Sequence, residues 1–332
     1  MLNFGIIGTN WITDSFIQSA QASGKWKLAA VYSRTEEAAR TFADKYSVKT
    51  LHTTIESLTS DSNIQAVYIA SPNSHHYEHA VSLLKAKKHV IIEKPATSTV
   101  AELDHLFSLA KENKVYLIEA FRHIQECNFH LLRDVLLKEK KLGTIFGASF
   151  TYASYSSRYN NVLAGEVPNV FSLDFSGGCL VDIGVYPIAF AVALFGKPKS
   201  QTYAPYICAT GVDAGGFVTL NYGDFGVQIN QSKCYSSSAP SEIYGENGTI
   251  ALNATTDIDS IKFTNRKTKQ TQELAGPKVE LNLQEEAEEF ARIINDNDQQ
   301  AAQKLEQLSR DIIAVTTDLR KQNSIVYKAE KK

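Results

Sequence analysis

The chain has 332 residues, of which 43% are hydrophobic and 21% charged, and its formal net charge is -2. This is the balance of an ordinary globular protein long enough for about two domains. It excludes the strongly basic surface that nucleic-acid binding usually needs, and the lack of any run of about 18 apolar residues argues against a membrane-spanning helix.

The N-terminal segment and the cysteines indicate the compartment. The first residues lead straight into a strand-like segment and lack the basic and apolar regions of a secretory signal. None of the four cysteines has a metal-ligand spacing, and reduced core thiols are favoured over disulfides in a chain of this size. We expect a cytoplasmic protein without a metal site.

Residues 1–121 alternate strand and helix patterns, which is typical of a parallel α/β sheet. Thr35 is a predicted helix N-cap. The predicted strands are Phe4–Ile7, Lys27–Tyr32, Ala66–Ala70, His89–Ile92 and Val115–Ala120. The predicted helices are Ile12–Ala22, Ser74–Lys87 and Ser98–Asn113. We expect a Rossmann-type, doubly wound sheet.

The pattern changes after residue 121. A helix is predicted from about Asn128 to Lys141, and period-two segments then dominate, with turns at Gly223-Asp224 and Asn247-Gly248. The period-two segments are Ile145–Tyr155, Gly216–Tyr222 and Gly226–Ser232, and the terminal amphipathic helices are Leu283–Asn295 and Ala301–Gln322.

These patterns predict an α/β protein of two domains. Residues 1–121 form the dinucleotide-binding domain. Residues 122–332 form a C-terminal α+β domain for substrate binding and oligomerisation, with a large, mainly antiparallel open sheet. The terminal helices are long enough to pack back on the first domain.

The turn after the first strand is a candidate phosphate-binding loop. It reads Gly8-Thr9-Asn10-Trp11-Ile12-Thr13, and Gly8 alone matches the glycines of a G-x-G-x-x-G pattern. Asn10 stands at the second glycine position, where we expect its tolerance of left-handed backbone angles to preserve the turn. The turn alone fits a plain strand–turn–helix connection equally well, and the surrounding βαβ pattern favours nucleotide binding.

The end of the second strand predicts which cofactor binds. An acidic residue there bonds the ribose 2′-hydroxyl of NAD, but this chain has Ser33-Arg34. A hydroxyl and a guanidinium suit a 2′-phosphate, although a solvated surface arginine has the same pattern. We expect NADP rather than NAD.

Three further segments carry candidate site residues. Ser71-Pro72-Asn73 with His76 follows one strand end, and Glu93-Lys94 follows the next. Ligands of open α/β sheets bind outside the carboxyl ends of the strands, so both segments are predicted beside the nicotinamide. The third segment, residues 177–187, contains Asp182 and Tyr186, which share a face if one helix carries both.

In this order the segments resemble the Gfo/Idh/MocA oxidoreductase family, and the resemblance extends over nearly the whole chain. It implies a Rossmann domain, a C-terminal α/β domain whose open sheet often mediates oligomers, and oxidation or reduction of sugars, polyols and related compounds. It further implies that Lys94 is the catalytic lysine, with Asp182 and Tyr186 completing the site. Family members often have histidine where Tyr186 stands. The tyrosine is more similar to the glucose–fructose oxidoreductase and dimeric dihydrodiol dehydrogenase branch.

The chemistry of these residues agrees with that role. Alcohol oxidation removes a hydride from carbon and a proton from oxygen, and a free tyrosine, with a pKa of about 10, is a poor base at neutral pH. A nearby ammonium such as that of Lys94 favours the phenolate, so Tyr186 can take the proton. Asp182 is expected to orient the substrate or Lys94.

Two substrate contacts are less constrained by the sequence. Arg122 follows Glu119-Ala120 in a segment that lacks the proline often found there in the family. Tyr155 lies in an aromatic-rich stretch that suits either stacking on a sugar or covering the sheet.

The function predicted from the sequence is an NADP-dependent oxidoreductase for a sugar, polyol or dihydrodiol-type alcohol. A non-catalytic NADP(H)-binding regulator and an enzyme cycling a tightly held cofactor are the alternatives. Retention of Lys94, Asp182 and Tyr186 favours the enzyme, because a pure regulator has no need of a proton-transfer set. The predicted partners are a small polyhydroxylated substrate and a second copy of the chain, as a homodimer or homotetramer through the C-terminal sheet, with no nucleic acid and no membrane.

Overall fold

The computed structural model describes residues 1–331, and the chain forms two compact units. The first unit contains Met1–Arg122 and Val279–Arg310, and the second contains His123–Lys278 and Asp311–Lys332.

The first unit is built on a six-stranded parallel sheet. Its strands are β1 Leu2–Ile7, β2 Trp26–Tyr32, β3 Thr50–His52, β4 Ala66–Ile69, β5 His89–Glu93 and β6 Leu117–Ala120. Its helices are α1 Trp11–Ala22, α2 Glu36–Asp44, α3 Ile55–Ser60, α4 Asn73–Lys85, α5 Val100–Asn113 and α6 Arg122–Gln125, the last of which begins at the unit's end.

The strand order is β3-β2-β1-β4-β5-β6, with all registers parallel. The order reverses between β1 and β4, and open α/β sheets bind their ligands at such a switch point, outside the carboxyl ends of the strands. The predicted Rossmann sheet is confirmed.

Large apolar side chains from distant segments form the core of this unit. Phe16 of α1 stacks on Tyr68 of β4 with ring centroids 3.9 Å apart. The indole N–H of the buried Trp26 donates to the carbonyl oxygen of Ala287 at 2.7 Å. Ala287 belongs to α11, Gln284–Asn295, whose buried face with Phe290 completes the same core.

The second unit contains an eight-stranded mixed sheet. Its strands are β7 Ile145–Ala153, β8 Ser200–Ile207, β9 Asp213–Asn221, β10 Gly226–Ser232, β11 Ser241–Gly245, β12 Gly248–Leu252, β13 Ile261–Asn265 and β14 Thr271–Glu273. Its helices are α7 Cys127–Leu137, α8 Ser157–Leu163, α9 Cys179–Asp182 and α10 Val185–Phe195, and the last helix of the chain is α12 Gln299–Lys321.

The strand order is β14-β13-β12-β11-β7-β10-β9-β8, and only the β7–β10 pair is parallel. The predicted large, mainly antiparallel sheet is therefore confirmed. One face is apolar and covered, since Phe190 of α10 packs edge-on against Phe150 of β7 with centroids 5.2 Å apart. On the other face Phe217 of β9 is 57% exposed.

One predicted helix differs in length. The helix predicted from Asn128 to Lys141 ends at Leu137, since residues 138–144 turn into β7.

Among the described residues no single helix is long and apolar enough to cross a membrane. The bent helix pair Leu173–Asp182 and Val185–Phe195 has the length and composition of a span when its two parts are taken together.

Candidate active site

Gly8 brings the ends of β1 and β4 together. Its φ of +106° is left-handed, and a Cβ built on it would lie 2.5 Å from the carbonyl oxygen of Ala70. Any side chain would therefore clash with backbone as well as strain the turn. Gly8 is required for the close approach of the two strands at the switch point.

Asn10 caps α1, which differs from the expected role. Its φ is -106°, so it is extended and not left-handed. Its side-chain oxygen accepts from the N–H groups of Ile12 and Thr13 at 3.1 and 3.3 Å, and its Nδ2 donates to Ala70 O at 2.8 Å. The expectation of a left-handed Asn10 is wrong, because the side chain stabilises the helix start from an extended backbone.

This cap decides which donors the loop offers to an anion. The N–H of Ile12 is already bonded to Asn10, whereas those of Thr9, Asn10 and Trp11 make no hydrogen bond within residues 1–331. Trp11 itself is 75% exposed at the first turn of α1. A helix N-terminus with free N–H groups is suited to a pyrophosphate.

The segment after β2 offers a cation. The backbone N–H of Ser33 donates to His52 O at 3.1 Å, and Thr35 caps α2 by accepting from Ala38 N at 3.3 Å, as predicted. Arg34 between them is exposed and forms no ion pair within the described chain. Its guanidinium fits a 2′-phosphate, so the residues at this edge fit NADP.

His76 connects the loops that follow β4 and β5. It is 1% exposed, and its Nε2 and Nδ1 lie 2.8 Å from Ser71 O and 3.0 Å from Pro95 O. Burial lowers the pKa of His76 to about 4, so the ring is neutral at pH 7 and donates to one carbonyl at a time. His76 holds the two loops together from inside the unit, with Pro72 and Asn73 at the start of α4 beside it.

Glu93 and Lys94 end β5. Glu93 is buried and accepts from the Tyr68 hydroxyl at 2.6 Å. Burial raises its pKa, while the neighbouring charge of Lys94 acts in the opposite direction. Lys94 is half-buried and is followed by a cis peptide bond to Pro95.

Two further buried carboxyls lie near this pair. Glu119 of β6 accepts from Ala96 N at 2.8 Å, and burial raises its pKa to about 7. Glu286 of α11 is 1% exposed, and burial raises its pKa well above the ordinary value, with Glu93 adding to the shift and Arg122 opposing it. The sequence analysis did not single out Glu286, because an amphipathic helix pattern does not distinguish a glutamate at the edge of the buried face from a solvated one.

In the second unit, three glycines pack the segment 177–187 against its neighbours. A Cβ on Gly177 would lie 2.7 Å from Asn169 O. A Cβ on Gly178, whose φ is +126°, would overlap Asp213 Oδ1, and one on Gly184 would overlap Gln231 Oε1. These contacts explain why the segment is rich in glycine.

Asp182 and Tyr186 do not lie on one helix. Asp182 ends α9, Tyr186 is in the first turn of α10, and Ile183 and Gly184 separate the two helices. The predicted shared helical face is wrong, since the close packing of Gly184 on Gln231 accompanies a break in the helix.

Asp182 pairs with a lysine that the sequence analysis missed. Its carboxylate accepts from Lys233 Nζ, and the Lys233 side chain is 6% exposed whereas that of Asp182 is 30% exposed. Lys233 follows β10, where Val227, Ile229 and Gln231 point to the covered face of the sheet. That alternation was the available signal, because it places residue 233 on the inward side too.

Asp213 holds the backbone of α9. Its Oδ2 accepts from Leu180 N at 2.6 Å and from the Tyr203 hydroxyl at 2.7 Å. Burial raises the pKa of Asp213 to about 6, and these hydrogen bonds limit the rise. Gln231 Nε2 donates to the same Tyr203 hydroxyl at 2.8 Å, which extends the network to β10.

Aromatic rings surround Tyr186. The His123 ring lies edge-on to it with centroids 5.0 Å apart, and His123 Nε2 is 3.1 Å from Tyr186 O. The Tyr152 ring lies 5.6 Å away on another side. Tyr186 is half-buried in this setting, which suits a phenol whose hydroxyl meets a ligand.

The surroundings of Tyr155 do not distinguish a substrate contact from a surface residue. It is 44% exposed, and its hydroxyl donates to Asn160 Oδ1 at 2.6 Å. Its ring lies edge-on to Tyr159 at 6.1 Å. The residue therefore belongs to an aromatic surface beside the start of α8, and its role toward a substrate stays a prediction. Within residues 1–331 no group of three or more His, Cys, Asp or Glu side chains is arranged to hold a metal.

Comparison with known proteins places this geometry in context. Residues 2–121 match the model of an oxidoreductase family with an NAD-binding Rossmann fold, GFO/IDH/MocA, and residues 132–251 match a C-terminal domain of the same family. The chain is 42% identical to the uncharacterized oxidoreductase YgjR of Escherichia coli, over 99% of both chains. It is 38% identical to the scyllo-inositol 2-dehydrogenase (NADP(+)) IolU of Bacillus subtilis, again over 99% of both chains.

A solved structure has the same fold. The 3-ketoreductase KijD10 of Actinomadura kijaniata, in complex with NADP and TDP-benzene, superposes with a TM-score of 0.82 over 96% of each chain at 19% identity. At this identity the similarity concerns the fold.

Proposed function

The chain belongs to the GFO/IDH/MocA family of oxidoreductases, and on that premise we propose that it interconverts an alcohol and a carbonyl on a polyol or sugar, with NADP as its cofactor. The observation that carries this proposal is the full-length similarity to an NADP(+)-dependent inositol dehydrogenase. A dihydrodiol would undergo the same alcohol oxidation, and trans-1,2-dihydrobenzene-1,2-diol dehydrogenases are also similar to the chain, over a smaller share of it.

The first unit supplies the proposed cofactor contacts. The N–H groups of Thr9, Asn10 and Trp11 would receive the pyrophosphate, and Ser33 with Arg34 would receive the 2′-phosphate. The strand-end residues Ser71, Pro72, Asn73, Glu93 and Lys94 would border the nicotinamide. When bound, oxidised NADP accepts the hydride that leaves the alcohol carbon.

Tyr186 is the proposed proton acceptor. As the alcohol C–H bond breaks with its electron pair, the O–H proton passes to the phenolate oxygen of Tyr186 and the C–O bond becomes a carbonyl. Lys94 supplies the positive charge that favours phenolate over phenol at neutral pH. In reduction, Tyr186 returns the proton to the forming alkoxide.

Asp182 is the proposed substrate acceptor. Its carboxylate is partly exposed and cannot donate while ionised, so it would accept from a hydroxyl of the polyol. Arg122 and Tyr155 are further proposed substrate contacts, as donor and as stacking surface.

The first experiment measures absorbance at 340 nm with NADP+ or NAD+ against inositols, aldoses and trans-dihydrodiols. Wild-type turnover is expected with NADP+ on at least one polyol. Lys94→Ala and Tyr186→Phe are expected to lose at least about a hundredfold in kcat while still binding NADPH. Tight NADPH binding without turnover on any compound would favour the regulatory alternative, and near-normal turnover by either variant would reject its assigned role.

Cofactor choice is tested at Arg34. Arg34→Ala should raise the KM for NADP+ at least about tenfold and leave that for NAD+ nearly unchanged, because the lost contact is a charge-assisted one to the 2′-phosphate. Arg40→Ala, on the helix α2 that follows Arg34 and paired with Glu36, is the matched control. Equal effects on both cofactors would contradict the assignment.

We further propose a homodimer through the uncovered face of the second unit's sheet, or a tetramer built from such dimers. Phe217 and Tyr244 are 57% and 36% exposed on strands whose alternate residues are buried. Light scattering at micromolar concentration should give a dimer or larger, and Phe217→Lys should weaken it. A monomeric wild type would contradict the proposal.

A cytoplasmic location is also part of the proposal. All four cysteines are free thiols, which is typical of a reducing compartment.

A further inference from the structure

Lys233 is a buried cation with a specific setting. Its side chain is 6% exposed, its ammonium donates to the Asp182 carboxylate, and the ammonium lies 5.0 Å from the centroid of the Phe171 ring. Burying an ammonium is costly unless a counter-charge compensates for the lost hydration. The lysine is therefore held where it is by Asp182 and by the face of Phe171.

The backbone beneath Asp182 is supported separately. Asp213 accepts from Leu180 N at 2.6 Å, which fixes the start of α9 through a hydrogen bond that does not include Lys233. Asp213 is in turn bonded to Tyr203. Lys233 donates its hydrogen bond to the Asp182 carboxylate and not to the backbone of α9, although its charge also lowers the pKa of Asp213. Because the Leu180 N–H bond to Asp213 is retained without the ammonium, its loss is expected to leave α9 in place.

The two members of the pair differ in exposure. The Asp182 side chain is 30% exposed, while Lys233 lies almost entirely behind it. A ligand arriving from the exposed side can meet the carboxylate, but it cannot meet the ammonium. The direct contact between this pair and a ligand is therefore made by Asp182.

We infer that Lys233 is a positioning residue that holds Asp182 ionised and oriented as the acceptor for a substrate hydroxyl next to the carbon being oxidised. This inference rests on the proposed function. It assigns to the enzyme a preference for substrates with adjacent hydroxyl groups. An ionised carboxylate accepts a hydrogen bond from a hydroxyl but cannot donate one, and Asp182 is only four residues from Tyr186, the proposed acceptor of the proton from the oxidised hydroxyl.

The test compares Lys233→Met with Lys233→Arg. Lys233→Met retains the apolar stem and removes the ammonium, and Lys233→Arg restores a cation. The matched control is Lys262→Met, which removes an exposed lysine of β13 in the same sheet. The substrates are the polyol that the wild type oxidises best and its deoxy analogue lacking the hydroxyl adjacent to the oxidised carbon.

Lys233→Met should raise KM for the polyol about tenfold, which corresponds to a lost charge-assisted hydrogen bond, with a smaller effect on kcat. The deoxy analogue should change less than threefold, and Lys233→Arg should recover most of the affinity for the polyol. Equal losses on both substrates, or an unchanged KM for the polyol in a variant with wild-type circular dichroism, would overturn the inference.

A second measurement separates this inference from the proposed function. Thermal unfolding is followed for Lys233→Met, Asp182→Asn and the double variant. If Asp182 and Lys233 stabilise the fold as a pair, the double variant should have a Tm no lower than that of the less stable single variant. If the wild type oxidises no compound, the proposed function fails, while the pairing is still decided: additive losses of Tm would refute it.

Discussion

Two buried acidic side chains, one in each unit, have different hydrogen-bond surroundings. In the first unit Glu286 is 1% exposed, and neither of its carboxyl oxygens has a hydrogen-bond partner among the described residues. In the second unit Asp213 is also 1% exposed, but one of its oxygens accepts from both Tyr203 and Leu180. Asp182 of the same unit is paired with Lys233.

This difference decides which groups are charged at neutral pH. Burial without donors favours the neutral acid, and it raises the pKa of Glu286 well above its ordinary value. Hydrogen bonds to the carboxylate limit the same effect in Asp213, whose pKa is about 6. The second unit thus offers anionic acceptors, whereas the interior of the first unit favours uncharged side chains around Lys94.

The largest effect is expected from removing the acceptor in the second unit. Asp213→Ala leaves the Leu180 N–H buried without a partner, and it leaves the Tyr203 hydroxyl with Gly215 O and Gln231 Nε2 alone. It should cost about 4 kcal/mol of unfolding free energy. Urea denaturation at pH 7 measures the loss.

Asp213→Asn retains an acceptor oxygen and serves as the control, with an expected loss of less than half as much. A loss below about 1 kcal/mol for Asp213→Ala would mean that the network does not support α9, and the comparison between the units would break.

In the first unit, replacing a buried acid is expected to increase stability at high pH, by somewhat less than Asp213→Ala decreases it. The pKa of Glu119 is raised from 4.5 to about 7, so the folded state holds a proton that the unfolded chain has lost. This contribution to stability is complete below pH 4.5 and declines as pH rises toward 7, by up to about 3 kcal/mol. Glu119→Gln should remove that part of the decline, as measured by urea denaturation between pH 4.5 and 8.

Glu286→Gln applies the same measurement of stability against pH to a carboxyl that lacks hydrogen bonds. Its pKa is also raised by burial, so the variant should become more stable relative to the wild type as pH rises above 4.5. Glu112→Gln alters an exposed carboxyl of α5 and should leave the pH dependence unchanged. A wild-type pH dependence in both buried variants would show that these acids ionise freely.

The smallest effect concerns a base in the first unit. Burial lowers the pKa of His76 from 6.5 to about 4, so the ring stays neutral while the unfolded chain takes up a proton. Stability is therefore lost as pH falls below 6.5, by about 2 kcal/mol at pH 5. His76→Gln should reduce this acid sensitivity, measured by urea denaturation at pH 5 and 7.

His105→Gln, at an exposed histidine of α5, is the matched control. A His76 variant that is as acid-sensitive as the wild type would imply that His76 is protonated in the fold and donates to both Ser71 and Pro95.

Parts of the fold were predictable because they depend on short-range patterns. The apolar runs of β4 and β5 indicated strands buried on both faces, and Thr35 followed by acidic residues indicated the start of α2. Asn10 was recognised as part of the cofactor loop, but its function as a cap was not, since Asn suits both an N-cap and a left-handed turn.

The site was less predictable, because its polar contacts join residues that are far apart in the chain. Asp182 and Tyr186 were identified by motif, yet the need for glycine at 184, between their two helices, comes from Gln231 of a distant strand. The amphipathic pattern of α11 indicated a buried face, but it does not say that this face joins the core around Trp26.

The sequence by itself determined five of the six strands of the first sheet, the change from a parallel to a mainly antiparallel sheet and the segments that carry the candidate site, because apolar periodicity and strand-end position are local properties of the chain. Only the tertiary structure decided which buried charges have partners. Asp182 and Lys233 are separated by 51 residues, and Leu180 and Asp213 by 33. The free energy of a buried charge depends on the donors and counter-charges that folding brings beside it, and no local pattern specifies these.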